Sequence, residues 1–218
     1  MRELKLLVDH RDDLVAERRR CQAAAALAPA RARSGAAGAA WVRSTARSGS
    51  SGSDGSSPAA SRRPRSGIAR ELLGRCRALT REIVALEREL QVRTETIAPR
   101  LLELAGCGAL SAAKLLCEIG PIARFRSDAQ LARHAGVAPL EASSGTKRRH
   151  RLDRGGNRQL NCALHRIAIT QGRVHPPARA YLERKQNEGK SRREAIRCLK
   201  RQLARTVYTT LKSEPSLT

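Results

Sequence analysis

Apolar residues recur at helical spacing in two stretches that flank a long polar segment. In residues 1–21 the apolar positions include Leu4, Leu7, Val8, Leu14 and Val15. In residues 67–98 they include Leu72, Cys76, Leu79, Ile83, Leu86 and Leu90, which step alternately by four and three residues. The first pattern predicts a helix, and the second predicts a helix with a heptad seam. A helical hairpin and a coiled-coil dimer would both use this seam, and Pro99 marks a break after it.

The segment between these two helices, residues 22–66, has a different character. It consists almost only of Ala, Arg, Ser, Gly and Pro, and it shows neither helical nor strand periodicity. Such a segment buries too little apolar surface to offset the entropy of ordering it. We therefore predict that residues 22–66 are disordered, with the only tryptophan, Trp41, inside them.

The remaining residues predict a compact helical domain at 99–212, followed by a tail at 213–218. Helices are expected at about 99–105, 110–119, 127–135, 157–171, 176–187 and 191–212, and Gly or Pro lies in most of the gaps. No convincing apolar–polar alternation indicates a strand, so the predicted fold class is all-α.

The last of these helices is predicted in more detail. Ser191 and Glu194 predict a capping box at its start. Its apolar stripe is Ile196, Leu199, Leu203, Val207 and Leu211, and its basic exterior is assigned to Lys200, Arg201 and Arg205. We interpret this helix as scaffold and assign it no catalytic residue.

The net charge of the chain indicates a polyanionic partner. The formal charge is +23 over 218 residues, with a sequence pI near 11.4. Basic side chains bind nucleic acid by displacing its condensed counterions, and an anionic membrane surface is the alternative partner. No apolar stretch approaches the length of a membrane span, and no signal pattern is present. We therefore expect a DNA partner, no membrane, and a cytoplasmic, nucleoid-associated protein.

One candidate DNA contact lies in LLELAGCGALSAAKLLCEIG, residues 101–120, where two short helices flank a glycine-containing turn. Gly106 and Gly108 permit a tight turn, and backbone N–H groups at the next helix start can face a phosphate. Lys114 follows within the helix. The pattern has the form of a helix-hairpin-helix motif, and an ordinary hairpin packed by its leucines is the alternative.

A second candidate is EASSGTKRRHRLDRGGNR, residues 141–158, where two serines precede a dense basic run. The basic residues are Lys147, Arg148, Arg149, Arg151, Arg154 and Arg158. They indicate a phosphate-contacting surface, with a solvated face as the alternative. A helix is expected after Gly155 and Gly156, with Asn157 suited to its N-cap. The residues alone favour a turn for Ser143 and Ser144. A nucleophilic serine, with guanidinium groups stabilising a pentacoordinate phosphorane, is the other interpretation.

Metal-binding residue types are scattered along the chain. Asp9, Asp12 and Asp13 are interpreted as a solvated helix face that pairs with nearby Arg rather than as a metal site. None of the six cysteines forms a CxxC pair or has a histidine at zinc-ligand spacing. His134, His150, His165 and His175 are likewise expected to be structural or to face phosphate. No metal site is predicted in this chain.

Several stretches resemble the insertion-sequence one-ten transposase family, whose members move DNA with a bridge RNA. They are ELAGCGALSAAKLLCEIG, FRSDAQLARHAGVAPLEASSGTKRRHRLDRGGNRQLNCALHRIA and ARAYLERKQNEGKSRREAIRCLKRQLARTVY, which cover most of residues 99–211. RELKLLVDHRDDLVAER and IARELLGRCRALTREI are similar to the family's linking coiled coil. The resemblance implies a transposase domain whose nucleophile is the serine of a Ser-Gly dipeptide after a G-hydrophobic-A/T-P segment. Gly136–Pro139 and Ser144-Gly145 match these elements, so the resemblance places the nucleophile at Ser144, with Ser143 as the alternative.

The resemblance also implies an N-terminal RuvC-like nuclease domain, whose DEDD carboxylates bind Mg²⁺. Asp9, Asp12 and Asp13 do not match that motif, so we expect Mg²⁺ only in intact family members and impaired catalysis here. The family's linker is ordered helix where this chain has residues 22–66. We therefore hypothesise that this segment is a frameshift product. Translating the same DNA in the other two frames tests the idea, because one frame should encode a Leu-, Arg- and Glu-rich helix.

Two functions follow from the sequence. The first is a DNA-binding transposase, expected to be a truncated or degraded copy, with DNA and a bridge RNA as partners. The alternative is a non-catalytic nucleic-acid-binding module or transposase regulator. Either protein would pair with itself or with a full-length transposase through the coiled coil.

Overall fold

The computed structural model describes residues 1–41, 63–141, 150–151, 153 and 155–214. Their helices are α1 (Arg2–Trp41), α2 (Arg63–Ile97), α3 (Pro99–Leu102), α4 (Ala109–Ile119), α5 (Asp128–His134), α6 (Arg158–Val174), α7 (Pro176–Asn187) and α8 (Arg192–Lys212). A single 3-10 turn, Ile122–Arg124, precedes α5. Strand β1 (Leu140–Glu141) pairs antiparallel with β2 (His150–Arg151). The all-α class is confirmed, and the two-residue strands were not predicted because they are too short to show apolar–polar alternation.

Proline and capping residues define several helix boundaries as the sequence predicted. α2 ends at Ile97, and Pro99 occupies the first turn of α3, where a missing N–H costs nothing. Asn157 caps α6 by accepting a hydrogen bond from the Leu160 N–H at 2.9 Å. At α8, the Ser191 side chain accepts from the Glu194 N–H while the Glu194 carboxylate accepts from the Ser191 N–H, so the capping box is confirmed.

The predicted disordered segment at 22–66 requires a correction. Helix α1 continues without a break through residues 22–41, and α2 begins at Arg63. Alanine dominates the first half of the segment and has the highest helix propensity of all residues, so the helix continues although its apolar stripe has ended. Residues 42–62 lie outside the described residues.

The chain divides into two compact units, and the first comprises residues 1–9 and 87–218. Within it, α6 contacts α4, α7 and α8. The buried residues of α6 recur at helical spacing: Leu160, Ala163, Leu164, Ile167, Ala168 and Gln171. The predicted stripe on α8 is buried at Leu199, Leu203, Val207 and Leu211. Because each buried leucine contributes about 1.5–3 kcal/mol relative to exposure, this mainly aliphatic core stabilises the unit, and Phe125 is the one buried aromatic residue among those described.

The second unit comprises residues 10–86 and is formed by parts of α1 and α2. Leu14, Leu79 and Ile83 form a buried cluster, with Val15, Cys21 and Leu86 packed against it. Arg75 Nη2 lies 2.7 Å from Glu17 Oε1 beside this cluster. Both partners are largely exposed, so this ion pair adds little stability. The heptad seam is therefore covered within the chain here, which matches the hairpin rather than the dimer interpretation. No helix in the described ranges is both long and apolar enough to cross a bilayer.

Candidate nucleic-acid interface

The predicted nucleophile and most of the basic run fall outside the described residues. This applies to Ser143, Ser144, Lys147, Arg148, Arg149 and Arg154. Arg151 has a described backbone in β2, and Arg158 is the exposed first residue of α6. Their roles in catalysis and DNA binding stay predictions. The structure does describe the chain on either side of this region, and those flanks define the candidate site.

The two flanks of the basic run meet backbone to backbone at a pair of glycines. Gly136 has a φ of +63°, a conformation that favours glycine. A Cβ placed on Gly136 would lie 3.1 Å from Gly156 Cα and 3.2 Å from the Asp153 carbonyl oxygen. A Cβ placed on Gly156 would overlap Gly136 N and Cα. Only two residues without side chains permit this approach, so the glycines join the ends of the segment between them.

Hydrogen bonds secure the same junction. The Asn157 N–H donates to the His134 carbonyl at 2.7 Å, which ties the start of α6 to the end of α5. The Gly155 N–H donates to Asp153 Oδ1 at 2.9 Å. The β1–β2 pair adds a third attachment, with Leu140 opposite Arg151. The described residues before and after the segment 142–149 therefore lie together beside the N-terminus of α6, where the helix dipole favours anions.

Glu118 on α4 supports this junction from a position that the sequence did not indicate. Its Oε2 accepts a hydrogen bond from Asn157 Nδ2 at 2.6 Å, and its Oε1 accepts one from Lys5 Nζ at 3.0 Å. Burial would raise the pKa of Glu118, but the hydrogen bonds from Asn157 and Lys5 outweigh it and hold the pKa below 4.5. The carboxylate is therefore ionised near neutral pH and fixes the capping side chain of α6.

Asn161 and Lys200 connect two helices to the same turn. Asn161 Nδ2 donates to the carbonyls of Ala135 at 2.8 Å and Gly136 at 3.0 Å. Its Oδ1 accepts from Lys200 Nζ at 2.7 Å. Lys200 is only 5% exposed, so its assignment to the basic exterior of α8 is wrong. Its spacing from Leu203 and Val207 places it on the buried face, a signal that was available in the sequence.

The glycine turn before α4 lies between α3 and α4, and Lys114 of the predicted helix-hairpin-helix motif points inward. Gly106 has a φ of +77°, and a Cβ there would meet Thr170 Cβ at 3.0 Å. Gly108 caps α4 with extended backbone. Lys114 is 7% exposed, so its side chain lies within the buried face of α4 rather than on the surface. DNA contact through Gly106, Gly108 and Lys114 stays a prediction, and the packing role assigned as the alternative accounts for these positions.

The described residues contain no group of three or more His, Cys, Asp or Glu that could hold a metal ion. Asp12 Oδ1 lies 3.1 Å from Arg11 Nη1, which is the predicted pairing with arginine, whereas Asp9 Oδ2 lies 3.8 Å from Lys5 Nζ. The acidic residues of α1 therefore do not fit a Mg²⁺ site.

All six cysteines are free thiols, and two of them are strongly affected by burial. Burial raises the pKa of Cys107 to about 12 and that of Cys117 to about 11. Neither residue supplies a thiolate nucleophile near neutral pH.

Comparison with known proteins identifies relatives of this domain. The sequence profile described as "Transposase IS116/IS110/IS902 family" matches residues 98–183. The chain is 34% identical over 131 residues to the "Insertion element IS110 uncharacterized 43.6 kDa protein" of Streptomyces coelicolor, an alignment that covers 59% of this chain and 32% of that protein. It is 30% identical over 149 residues to the "Insertion element IS900 uncharacterized 42 kDa protein" of Mycobacterium paratuberculosis, covering 62% and 36%.

A third relative gives the same picture. The "Insertion element IS116 uncharacterized 44.8 kDa protein" of Streptomyces clavuligerus is 28% identical over 141 residues, with 63% of this chain and 35% of that protein covered. The chain thus spans about a third of the length of the curated relatives that it matches.

Proposed function

We propose that this chain acts as a transposase of the IS116/IS110/IS902 family, whose sequence profile matches residues 98–183, that this region binds DNA and that Ser144 attacks a DNA phosphodiester. The family places the chain among proteins of insertion elements, and the serine assignment is the finer part of the proposal. Lys147, Arg148, Arg149, Arg151, Arg154 and Arg158 are proposed to contact the DNA backbone. We retain Ser143 as the alternative nucleophile.

The observation that best supports this proposal is the junction of Gly136 with Gly156. It brings together both ends of the segment that contains Ser144 and the basic run. Lys147, Arg148 and Arg149 follow Ser144 in sequence after Gly145 and Thr146, and α6 begins at Arg158. A net charge of +23 supplies the general attraction for a polyanion. A serine that is close in sequence to several cationic side chains suits attack on a phosphodiester, because the developing phosphorane gains negative charge.

The proposed reaction conserves the number of phosphodiester-type bonds. Ser144 Oγ forms a bond to phosphorus as the bond from phosphorus to one deoxyribose oxygen breaks. The serine gives up its proton, and the departing deoxyribose oxygen takes one up as a hydroxyl. The resulting phosphoserine retains a high-energy linkage that a DNA hydroxyl reverses by attack on the same phosphorus.

The proposed attack on phosphorus is assigned to the Ser144 side chain, and the stabilisation of its transition state is assigned to the basic side chains. In the family, a Mg²⁺ ion would supply Lewis-acid stabilisation, but the described acidic residues do not fit such a site.

A bridge RNA and a second protein copy complete the proposed set of partners. The family resemblance motivates both. The hairpin interpretation constrains the second, because Leu79 and Ile83 are already covered within the chain. We propose that self-association uses other surfaces than this seam. Light scattering after size-exclusion chromatography measures the mass, and a monomer at all concentrations would contradict self-association.

The central experiment looks for a covalent protein–DNA adduct. The purified full chain is incubated with labelled duplexes from both flanks of its gene, with and without Mg²⁺, and resolved on a denaturing gel before and after protease treatment. We expect a protease-sensitive adduct from the unmodified chain and none from Ser144→Ala. Ser143→Ala is the matched control, because it removes the same hydroxyl one position earlier and should retain the adduct. Filter binding at several salt concentrations confirms that both variants still bind DNA.

The outcomes separate the candidate functions. Loss of the adduct in Ser143→Ala alone would assign the nucleophile to Ser143. Salt-dependent DNA binding without an adduct from the unmodified chain would overturn the nucleophile and leave a non-catalytic binding module or regulator. Failure to bind DNA at low salt would contradict the proposal as a whole.

A further inference from the structure

We propose that Asn161 and Lys200 are positioning residues that hold the first flank of the Ser144 segment in the geometry needed for attack on DNA. The inference rests on the proposed function, because a positioning role has meaning only if that serine reacts. It goes beyond the family assignment, since neither residue belongs to the serine motif or to the basic run.

Both polar atoms of the Asn161 amide have hydrogen-bond partners of the complementary type. Its NH₂ group faces two backbone carbonyls, Ala135 at 2.8 Å and Gly136 at 3.0 Å, which can only accept. Its oxygen faces the Lys200 ammonium at 2.7 Å, which can only donate. This pattern fixes the orientation of the amide without ambiguity. It also fixes the turn at Gly136, from which the chain continues through Val137 and Pro139 to the serine.

Burial of the Lys200 ammonium carries a desolvation penalty that packing alone does not explain. It is 5% exposed, and it forms no ion pair among the described residues. Burial lowers the pKa of Lys200, and the nearby Arg197 lowers it further. An apolar side chain at this point of the buried stripe would avoid the desolvation penalty. Its ammonium instead holds the Asn161 oxygen, which connects α8 to the turn through α6.

The second flank of the segment is fixed independently, so the two residues control one side of the site. Glu118 and the His134 carbonyl hold Asn157 on that second flank. With the Asn161 contacts removed, the Gly136 turn would be held mainly by its own backbone bonds, which include Val137 N–H to the Ala132 carbonyl at 2.9 Å. We therefore expect loss of the Asn161 contacts to loosen residues 135–141 without unfolding the domain.

An isosteric variant separates this role from a merely structural one. Asn161→Asp keeps the size of the side chain and strengthens the contact with Lys200, but it replaces the two donated hydrogen bonds by carboxylate–carbonyl repulsion. If the network exists to neutralise a buried lysine, the variant should be as stable as the parent or more stable, and fully active. If the network positions the turn, the variant should react slowly. Asn187→Asp is the matched control, because it makes the same change of charge at an exposed position of α7.

The experiment measures two quantities on the full chain. The first is amide hydrogen exchange at residues 135–141, which we expect to become at least about tenfold faster in Asn161→Asp, since each lost hydrogen bond contributes roughly a factor of ten. The second is the rate of Ser144-dependent adduct formation. We expect it to fall about a hundredfold, because a displacement near 1 Å costs that much in positioned reactions. DNA affinity should equal that of Asn187→Asp.

Lys200→Met keeps the inference testable if Asn161→Asp does not fold. Methionine replaces the buried ammonium with an apolar chain of similar length, so the melting temperature should be retained while exchange at 135–141 rises and adduct formation slows. Equal exchange and equal adduct rates in Asn161→Asp and Asn187→Asp would overturn the inference. So would faster exchange in every helix, which would indicate general destabilisation. Absence of any adduct from the unmodified chain would instead overturn the proposed function. The Asn161 and Lys200 hydrogen bonds would then have no role in catalysis.

Discussion

Replacement of Gly156 by alanine tests the glycine junction most directly. The added Cβ would lie 2.8 Å from the Ala135 carbonyl carbon and closer still to Gly136 N and Cα. These are all backbone atoms, so no side chain can rotate to make room. Either the turn at Gly136 or the start of α6 must move, and both are held by hydrogen bonds, including Asn157 N–H to the His134 carbonyl at 2.7 Å.

The expected loss of stability follows from these contacts. Overpacking of a closed contact costs about 1–3 kcal/mol, and loss of the adjacent hydrogen bond adds about 1 kcal/mol. We therefore expect Gly156→Ala to lower the free energy of unfolding by about 2–4 kcal/mol, which corresponds to a fall of about 5–15 °C in melting temperature for a chain of this size.

The adjacent glycine provides the matched control for this prediction. A Cβ on Gly155 would meet Asp153 Oδ1 at 3.5 Å, an ordinary van der Waals contact. Thermal unfolding followed by circular dichroism at 222 nm should therefore place Gly155→Ala near the parent and Gly156→Ala well below it. If the two variants melt within about 2 °C of each other, which is less than 1 kcal/mol, the two flanks are not in contact as described.

Three further predictions concern other parts of the first unit. Because the pKa of Glu118 is lowered in the folded state, its contribution to stability is present above pH 4.5 and is lost as pH falls below it, so Glu118→Gln should show a smaller fall in melting temperature between pH 5 and 3. Ser191→Ala should cost about 1 kcal/mol in urea unfolding, because the capping box of α8 is lost, whereas Thr206→Ala at an exposed position should cost less. Arg158→Gln should reduce the slope of log K against log salt for DNA binding by about 0.9, and an unchanged slope would exclude a phosphate contact.

Helices and caps were predictable from the sequence because their signals are local. The heptad steps from Leu72 to Leu90 indicated α2, and Pro99 indicated its end. Asn157 and Ser191 were identified as caps because each precedes an apolar-periodic run, and both make the expected hydrogen bonds. The continuation of α1 through residues 22–41 was missed, since the absence of an apolar stripe was given more weight than the helix propensity of alanine.

The polar junction was not predictable because its members come from four separate parts of the chain. Lys5, Glu118, Asn161 and Lys200 have no shared spacing or motif, and only the packing of the helices brings them to the Gly136 turn. Lys200 shows the limit most clearly. Its charge indicated an exposed residue, whereas its helical phase indicated a buried one. Whether a lysine at such a position is buried depends on whether a buried hydrogen-bond partner is available, here Asn161 Oδ1. The sequence alone does not show that partner.

The difference between this polar junction and the rest of the core leads to different expectations for DNA affinity and for the proposed reaction rate. Elsewhere the described core is built mainly from Leu, Ala, Ile and Val, which pack without directional constraints. At the Gly136 turn, directional bonds and a buried charge replace apolar packing, although apolar packing would be less costly. Substitutions in the basic run should therefore change DNA affinity with little effect on folding. Substitutions at Asn161 or Lys200 should change the reaction rate at constant affinity. A common loss of affinity and rate in both groups would mean that the junction belongs to the binding surface itself.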